Sequence, residues 1–408
     1  MILSMAKGKK KLMLLGGLRY LLPVIEAAHR HGIHVITVDY LPDNIAHKYS
    51  DEYHNVSIID KEAVLKLAQE LQIDGIMSFA VDPGVVAAAY TAEQMGLPFQ
   101  CSYEAACILQ DKSRFRKFLA ENGFNVPNAR GYSEGDDALK DIDYFNWPVI
   151  VKPVDSAGSK GVTRVDYPAD LPAAIAHALD CSPSRHYIIE DFLELEGYQS
   201  STDVFTVDGE LLHCPFSDQL FDKSAVNPYV PAIEIWPSTM PSSAQSELRS
   251  ELQRLFKLLN CKTGIYNVEA RLCKNGKAYI MEVSPRGGGN RIAELQRYAT
   301  NVDLIEADML KSLNLPLLKI EDANLTDYWC NYILHSNSGG VFKEIVYADS
   351  FKESYVVEEG ILVNPGAVIQ PFTGANQSLG TIFLRFDTRE ALDRFVSTPN
   401  SYITIVTE

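Results

Sequence analysis

The residues best suited to chemistry lie in a predicted hairpin over residues 266–284. Two runs of alternating apolar residues are separated there by Lys274-Asn275-Gly276-Lys277, and Asn-Gly is the preferred pair for a two-residue type I′ turn. If Lys274 pairs with Lys277, the register places Glu269 directly opposite Glu282. The spacing therefore predicts two carboxylates that face each other across neighbouring strands.

The alternation also predicts which side chains share each face of this hairpin. The polar face would carry Asn267, Glu269, Arg271, Glu282 and Ser284. The buried face would carry Val268, Ala270, Leu272, Met281 and Val283. Directly opposed like charges are unfavourable by up to roughly 1 kcal/mol, and magnesium is the hard cation that two carboxylates most readily share. A solvated pair tempered by Arg271 is the alternative interpretation.

A basic, glycine-rich segment follows the second strand of the hairpin. The run Ser284-Pro285-Arg286-Gly287-Gly288-Gly289-Asn290 holds an arginine at a strand end, beside a loop that exposes backbone amides. Arg286 would neutralise charge on a transferring phosphoryl group, and the glycines would let a carboxylate or an oxyanion approach the backbone closely. A surface turn without a function is the alternative interpretation of this segment.

Two further segments upstream are suited to a nucleotide. Lys152 ends an apolar strand, and the glycine-rich run 156–161 follows it. This run lacks the P-loop spacing and is not followed by a clear helix, so a flexible hairpin loop over phosphates is the better interpretation, with a structural turn as the alternative. The apolar strand that ends in Glu190-Asp191-Phe192-Leu193 predicts an interdomain hinge whose backbone groups pair with an adenine edge.

The first part of the chain alternates between strand and helix patterns, which predicts a Rossmann-like domain with a parallel sheet. Strands are predicted over 12–15, 34–39, 56–59, 75–79 and 98–100, and helices over 20–31, 61–71 and 83–95. Gly16-Gly17 and Asp39 suggest a dinucleotide site, but the full G-x-G-x-x-G pattern is missing. We expect instead a support domain whose first loop, including Arg19, faces a substrate.

The rest of the chain predicts two further units. A helix over 112–123, strands over 148–153, 186–192, 201–207 and 210–215, and a helix over 242–259 indicate an α+β unit. Short strands broken by glycine and proline from residue 328 onward, with a helix over 388–396, indicate a β-rich tail. The predicted fold class is therefore α/β and α+β, with domains over 1–105, 106–325 and 326–408.

Composition restricts the classes of function. The 408 residues are 46% hydrophobic, which suits roughly two to four domains. The formal net charge of -16 and the pI near 5.1 disfavour nucleic acid and membrane partners. Seven scattered cysteines without a C-x-x-C pair predict reduced thiols and no zinc site, and no run of 18 apolar residues occurs. We expect a cytoplasmic protein.

Taken in chain order, these residues resemble the ATP-grasp superfamily. The ordered set is Lys112, Lys152, the loop 156–161, Glu190, Glu269, Glu282 and Arg286. The resemblance runs from the β-α-β unit at residue 11 to the β-rich tail. It implies a Rossmann-like N-terminal domain, a two-part ATP-grasp domain and a small β-rich C-terminal domain, with ATP and Mg²⁺ as cofactors and Mn²⁺ as an alternative metal.

The resemblance also implies a role for each residue. Lys112 and Lys152 would contact the ATP phosphates, with Ser156, Gly158, Ser159 and Gly161 closing over them. Glu190 and the backbone of Phe192 and Leu193 would hold adenine, and Glu196 or Gln199 would hold the ribose. Glu269 and Glu282 would bridge magnesium, while Ser284 stands where many members have an asparagine ligand. Lys152 and Arg286 would be catalytic, because phosphoryl transfer is promoted by positioning and electrostatics.

Within the superfamily, the run E-V-S-P-R-G-G-G-N and the segment 218–241 resemble the carboxylate-amine ligases that join amino acids. Arg286, Gly287, Gly288 and Lys223 would then bind substrate. The expected reaction forms an amide or peptide bond between small-molecule substrates through an acyl phosphate, releasing ADP and phosphate, and a homodimer is expected. A purine-pathway or carboxyphosphate-forming enzyme is the alternative, and a non-catalytic nucleotide-binding protein is a further one.

Overall fold

The computed structural model describes residues 9–156 and 160–408. Its first four strands are β1 (Lys11–Leu15), β2 (His34–Val38), β3 (Glu52–His54) and β4 (Gly75–Met77). Its first four helices are α1 (Leu22–Arg30), α2 (Lys61–Leu71), α3 (Asp82–Met95) and α4 (Tyr103–Gln110). The four strands form one parallel sheet in the order β3-β2-β1-β4. The predicted β-α-β alternation is therefore confirmed.

Two strands predicted for this region are wrong. Residues 56–59 form a turn, in which the amide of Asp60 donates to the carbonyl of Ser57 at 3.1 Å, and the strand lies earlier, at β3. The turn precedes α2 because the Asp60 carboxylate caps that helix, accepting from the amide of Ala63 at 3.1 Å. Residues 98–100 are not a strand either, since Pro98 has no amide to donate to a ladder.

A second sheet is small and antiparallel. Its strands are β5 (Ala129–Ser133), β6 (Val149–Pro153), β7 (Thr163–Val165) and β8 (His186–Asp191), and its helices are α5 (Lys112–Glu121) and α6 (Leu171–Asp180). The strand order is β5-β8-β6-β7. Strands β6 and β7 are the two arms of the hairpin that the glycine-rich run 156–161 connects.

The remaining strands up to residue 334 are β9 (Leu195–Val207), β10 (Glu210–His213), β11 (Asp218–Phe221), β12 (Pro231–Trp236), β13 (Gly264–Cys273), β14 (Ala278–Ser284) and β15 (Tyr328–Leu334). The helices between them are α7 (Ser242–Leu258), α8 (Ile292–Thr300) and α9 (Leu304–Ser312). The tail adds β16 (Gly340–Tyr347), α10 (Phe351–Tyr355), β17 (Val356–Ile361), β18 (Val368–Ile369), β19 (Gly380–Phe386), α11 (Arg389–Ser397) and β20 (Ile403–Thr407). The helix predicted over 388–396 is confirmed by α11.

A nine-stranded sheet dominates this part of the molecule, in the order β14-β13-β9-β11-β12-β15-β19-β17, with β10 on β9. It contains strands from both sides of residue 325, and the division of the chain into three domains stays a prediction. One face packs through Val268, Ala270 and Val283 into a core that α7 shares. On the opposite face, α8 packs its Ile292 and Leu295 against aromatic side chains of β12, β15 and β19. Between α8 and the hairpin β13-β14, this face is polar.

All seven cysteines are free thiols. Among the described residues, no helix is both long enough and apolar enough to cross a membrane.

Candidate active site

The two carboxylates predicted to face each other do so. Glu269 of β13 pairs directly with Glu282 of β14. The turn, however, is wrong: Cys273 pairs with Lys277 around a three-residue loop, in which Gly276 has a φ of 75. A bulge between Glu269 and Ala270 then shifts the register by one residue and restores the pairing. The turn and the bulge shift the register in opposite directions, so Glu269 still faces Glu282.

The bulge also corrects one prediction about the buried face of the hairpin. Ile280, rather than Met281, joins Val268, Ala270 and Val283 in the core. Met281 is only partly buried, and its carbonyl accepts a hydrogen bond from Nη1 of Arg116 at 2.8 Å. An inserted residue reverses the alternation beyond it, which is why strict alternation selected the wrong side chain.

The electrostatics of the pair favour a bound cation. Burial and the neighbouring Glu282 raise the pKa of Glu269. Lys112 lies 3.6 Å from Glu282 and donates to the carbonyl of Ser156 at 3.2 Å. Burial lowers the pKa of Lys112, but Glu282, Asp82 and Glu269 together outweigh that effect and raise it. These carboxylates suit Mg²⁺, which proteins often bind through one or two carboxylates with substrate phosphates completing the shell.

Over residues 9–156 and 160–408, no group of three or more histidine, cysteine, aspartate or glutamate side chains is arranged to hold a metal. A metal on this face would therefore take its remaining ligands from a bound phosphate chain or from water.

Lys152 lies in a buried cluster of charges. Its ammonium pairs with Glu190, and the other oxygen of Glu190 accepts from Nε of Arg116 at 2.9 Å. Burial raises the pKa of Glu190, but Arg116 and Lys152 outweigh it and lower that pKa to about 2. Sequence reasoning missed Arg116, although it lies four residues after Lys112 and hence on the same face of α5.

Two observations restrict how adenine could bind at this hinge. Both carboxylate oxygens of Glu190 already bind cations, and the amide of Phe192 donates to the carbonyl of Pro148 at 2.9 Å. An adenine edge at this hinge would therefore have to use other backbone groups, including those of Leu193. The ring of Phe192 lies beneath Arg164, with the guanidinium carbon 4.4 Å from the ring centre.

The glycine-rich loop is described at its two ends. Gly158 and Ser159 lie outside the described residues. The hydroxyl of Ser156 donates to the carbonyl of Cys181. Gly161 has a φ of 72, and a β-carbon there would lie 2.7 Å from Cβ of Cys181, so only glycine fits this position. Both ends of the loop are thus held against the turn that follows α6.

Arg286 is fixed by a residue that sequence reasoning missed. Its Nε and Nη2 donate to the two oxygens of Asp82 at 2.8 and 2.7 Å, and Nη1 donates to the carbonyl of Gly287 at 2.8 Å. Ser284 also donates to Asp82, at 3.0 Å. Asp82 starts α3 directly after the β4 loop, and ligand sites of open α/β sheets commonly lie at that end of the strands.

The glycines after Arg286 pack closely. A β-carbon at Gly287 would lie 2.4 Å from the ring of Phe79. The amide of Gly288 donates to Asp203 at 2.8 Å, and burial is the main reason that the pKa of Asp203 rises to about 6. The segment is therefore an ordered loop between the N-terminal unit and the central sheet.

A row of polar side chains crosses the central sheet beside the two glutamates. Arg271 donates to Gln199 at 2.7 Å, Gln199 donates to Gln219, and Gln219 donates to Glu234. These residues occupy paired positions on β13, β9, β11 and β12. Burial raises the pKa of Glu234 well above its usual range. Gln199, predicted to bind the ribose, is thus part of a buried network.

The row ends at β15, where Asn331 pairs with Glu234 and donates to the carbonyl of Asn290. Its side-chain oxygen is buried and has no hydrogen-bond partner in the part of the chain that the structure describes. Two further predicted residues, Glu196 and Lys223, are exposed and are not among the side chains brought together on this face.

The first glycine turn does not have the shape of a dinucleotide site. A β-carbon at Gly17 would lie 2.5 Å from both Asn44 and His47, whose side chains fill the turn. Asp39 accepts from the amide of Leu41 at 3.0 Å and from Asn44 at 3.2 Å. The space and the carboxylate that a dinucleotide would use are occupied by the chain itself.

The class of the domain follows from the fold, the site and the family comparison together. Residues 145–294 match the family model described as the ATP-grasp domain. The chain therefore contains an ATP-grasp domain, as its resemblance implied.

Two relatives are similar to this chain over most of its length. The formate-dependent phosphoribosylglycinamide formyltransferase of Synechococcus sp. (strain WH7803) is 27% identical over 323 residues, 77% of this chain and 79% of the relative. The carbamoyl phosphate synthase large chain of Thermotoga sp. (strain RQ2) is 24% identical over 298 residues, 72% of this chain. That match spans 27% of the synthase, so the chain corresponds to about a quarter of it.

Two solved structures share the whole fold. The L-amino acid ligase from Bacillus licheniformis has a TM-score of 0.80 at 20% identity, covering 99% of this chain and 100% of the ligase. The biotin carboxylase domain dimer of the Hydrogenobacter thermophilus 2-oxoglutarate carboxylase, in complex with MgADP, ADP and bicarbonate, has a TM-score of 0.73 at 17% identity, covering 98% and 91% of the two chains. At these identities the likeness is one of fold.

Proposed function

We propose that the protein is an ATP-dependent carboxylate-amine ligase that forms an amide or peptide bond through an acyl phosphate and releases ADP and phosphate. The observation that carries the proposal is the polar face of the hairpin. Glu269 and Glu282 face each other, and Lys112 lies 3.6 Å from Glu282. Arg286, which Asp82 fixes, follows four residues after Glu282 in the chain. Such a face positions phosphate and carboxylate groups together, which is the main requirement of phosphoryl transfer.

The ATP side of the site uses the two lysines. Lys112 and Lys152 would bind the phosphates under the loop 156–161, and the hinge from Glu190 to Leu193 would hold adenine. Glu269 and Glu282 would hold Mg²⁺, or Mn²⁺ in its place, and the metal would neutralise the phosphate oxygens. Because the Glu190 carboxylate pairs with both Lys152 and Arg116, it also holds the Lys152 ammonium in position.

On the acceptor side of the site, beside Arg286 and the glycines that follow it, the substrate carboxylate would be phosphorylated and then joined to the amine. An oxygen of the substrate carboxylate attacks the γ-phosphorus of ATP, the bond to the β-phosphate oxygen breaks, and ADP leaves. Arg286 stabilises the negative charge on the transferred group, and Gly287 and Gly288 orient the acyl end. The amine then attacks the acyl carbon, phosphate leaves with the former carboxylate oxygen, and the amine gives up a proton to water.

Two buried acceptors favour an amino acid as the acyl donor. Glu234 and the side-chain oxygen of Asn331 lie on the same face as Glu269, and the hydrogen-bond partners of Glu234 are the neutral side chains of Gln219 and Ser217. The ammonium group of an amino acid would satisfy the Asn331 oxygen and, as a nearby positive charge, would favour the ionised form of Glu234. The shared fold with an L-amino acid ligase points to the same substrate class.

The alternative is a purine-pathway or carboxyphosphate-forming enzyme, which the sequence similarity to a phosphoribosylglycinamide formyltransferase favours. Release of ADP and phosphate should be measured with Mg-ATP over amino acids, other carboxylates and amines, bicarbonate, formate and phosphoribosyl amines, with mass spectrometry of the products. An adduct lighter by one water than its two amino-acid substrates supports the ligase. Release restricted to bicarbonate, formate or phosphoribosyl amines supports the alternative, and nucleotide binding without turnover supports a non-catalytic protein.

A matched pair of variants ties that activity to the site. Glu282→Ala removes one facing carboxylate and should abolish ADP release. Glu353→Ala changes an exposed glutamate of α10 and should leave the rate unchanged. Equal rates for both variants would contradict the metal assignment.

A homodimer is part of the proposal. The strand β17 lies at the edge of the central sheet and exposes Val357 and Ile361, and open edges of this kind can pair with a second chain. Sedimentation equilibrium should give twice the mass of the chain, and a monomer at all concentrations would contradict it.

A further inference from the structure

A charged cleft opens beside the loop that carries Arg286. Its volume is about 390 Å³, within the range of roughly 300–1,000 Å³ that small-molecule sites occupy. The walls come from the start of α1, from α8 and from β17. Arg291, which lines the cleft, lies five residues after Arg286 in the sequence. Tyr20, another lining residue, lies beside the backbone of Asn290, whose carbonyl accepts from Asn331 on the polar face of the central sheet. The cleft therefore borders the acceptor side of the proposed active site.

Charges of both signs line this cleft in equal number. The cations are Arg19, Arg30, Arg291 and Arg297, and the anions are Glu26, Glu294, Asp303 and Glu358. A cleft with this balance suits a ligand that carries both charges rather than a phosphate dianion.

Three of the four arginines already have a carboxylate partner. Arg30 pairs with Glu306 at 2.6 Å, and Arg297 pairs with Asp303 at 3.3 Å. Arg291 binds Glu294 at 2.8 Å and also binds Glu358. A β-carbon at Gly360 would lie 2.3 Å from Nη1 of Arg291, so the wall is shaped around that guanidinium. The guanidinium groups of these three arginines are therefore already paired with carboxylates of the protein.

Arg19 differs from the others. It is exposed, and its guanidinium makes no ion pair or hydrogen bond with any other residue that the structure describes. Glu26 lies seven residues further on, a separation of about 10 Å along a helical path, so it does not neutralise Arg19. Arg19 is thus the one lining arginine whose guanidinium has no carboxylate partner among the described residues, as Glu26 is the one lining carboxylate there without a cationic partner.

We propose that this cleft binds the amine-bearing second substrate, and that Arg19 binds the carboxylate of that substrate. The inference rests on the proposed ligase function and adds the chemical class of the nucleophile: an amino acid or short peptide with a free carboxylate. Its amine points toward Arg286 and its carboxylate toward Arg19. A single free guanidinium matches a monoanionic carboxylate, whereas a phosphoribosyl amine brings a dianion that the lining acids repel.

The test compares Arg19→Gln with the wild-type enzyme on two matched nucleophiles: the best amino acid of the panel and the carboxamide of that amino acid. One charge-assisted contact typically accounts for a factor of roughly 10 to 100 in binding. We expect Arg19→Gln to raise KM for the amino acid by that factor, with KM for ATP and for the carboxamide unchanged. Arg19→Lys should restore part of the affinity. Arg394→Gln, which changes an exposed arginine of α11, is the control and should alter none of these values.

The outcomes separate the two proposals. Active ligation with the same amino-acid KM in the wild type and in Arg19→Gln would overturn the inference and leave the ligase standing. An equal rise in KM for the amino acid and the carboxamide would also overturn it, because the carboxylate would then not be what Arg19 recognises. Turnover with phosphoribosyl amines but with no pair of amino acids would overturn the ligase function and the inference together.

Discussion

Replacing one of the two facing glutamates should make the ligand-free protein more stable and yet abolish turnover. Burial and Glu282 raise the pKa of Glu269, so its charged form is disfavoured in the folded protein relative to the unfolded chain. Glu269→Gln removes that charge and keeps the size of the side chain. Opposed like charges cost about 0.2–1 kcal/mol, so we expect the free energy of unfolding to rise by about that amount near pH 7.

A bound nucleotide should reverse this order of stability. A ligand at a hundred times its Kd stabilises the folded state by about 2.7 kcal/mol. If Glu269 holds the metal, Mg-ADP should stabilise the wild type by about that amount and stabilise the variant far less. The wild type should then be the more stable protein by roughly 1–2 kcal/mol. Urea unfolding with and without Mg-ADP, together with an assay of ADP release, measures both effects.

The matched control is Glu353→Gln, an exposed glutamate of α10. It should change neither the unfolding free energy nor the gain from Mg-ADP. The reasoning is refuted if Glu269→Gln lowers the ligand-free stability by more than about 1 kcal/mol, or if the variant gains as much from Mg-ADP as the wild type does.

Three further outcomes follow from the contacts around the site. Asp82→Asn removes half of the bidentate partner of Arg286, so kcat should fall by about 10- to 100-fold with KM for ATP little changed; an unaltered kcat would contradict the positioning role. Glu190→Gln leaves two buried cations without their anion, so urea unfolding should show a loss of about 3–5 kcal/mol, and a loss below about 1 kcal/mol would argue against the buried cluster. Above pH 4.5 the carboxyl of Glu234 ionises in the unfolded chain but keeps its proton in the folded protein. This group therefore makes the wild-type free energy of unfolding fall by up to about 1.4 kcal/mol per pH unit in that range. Urea unfolding between pH 5 and 8 should show Glu234→Gln gaining on the wild type as pH rises, and parallel profiles would be inconsistent with a buried neutral carboxyl.

The facing of the two hairpin carboxylates could be predicted from the sequence because it depends on contacts within about twenty residues. Alternation and the Asn-Gly pair predicted that Glu269 faces Glu282, and this pairing is confirmed. The details of the hairpin were wrong because a bulge depends on packing against β9 and the core, which no local pattern encodes. The placement of Met281 on the buried face failed for the same reason.

The remaining site residues were missed because their partners are distant in sequence. Asp82 and Arg286 are 204 positions apart, and the pairing of β9, β11 and β12 that creates the row from Arg271 to Glu234 is set by the assembled sheet. Propensity alone likewise suggested strands over 56–59 and 98–100. The first segment instead forms the turn before a capped helix, and the second contains a proline that cannot donate to a ladder. The roles assigned to the ATP, metal and substrate residues stay predictions.

The central claim is that ATP activates a carboxylate as an acyl phosphate, and oxygen transfer tests it most directly. A carboxylate substrate identified in the panel is labelled with ¹⁸O at both oxygens, and turnover runs in unlabelled water with Mg-ATP and the amine. Mass spectrometry of the products should find one ¹⁸O in the released phosphate and one in the new amide. Unlabelled phosphate, or label in AMP rather than in phosphate, would contradict the mechanism.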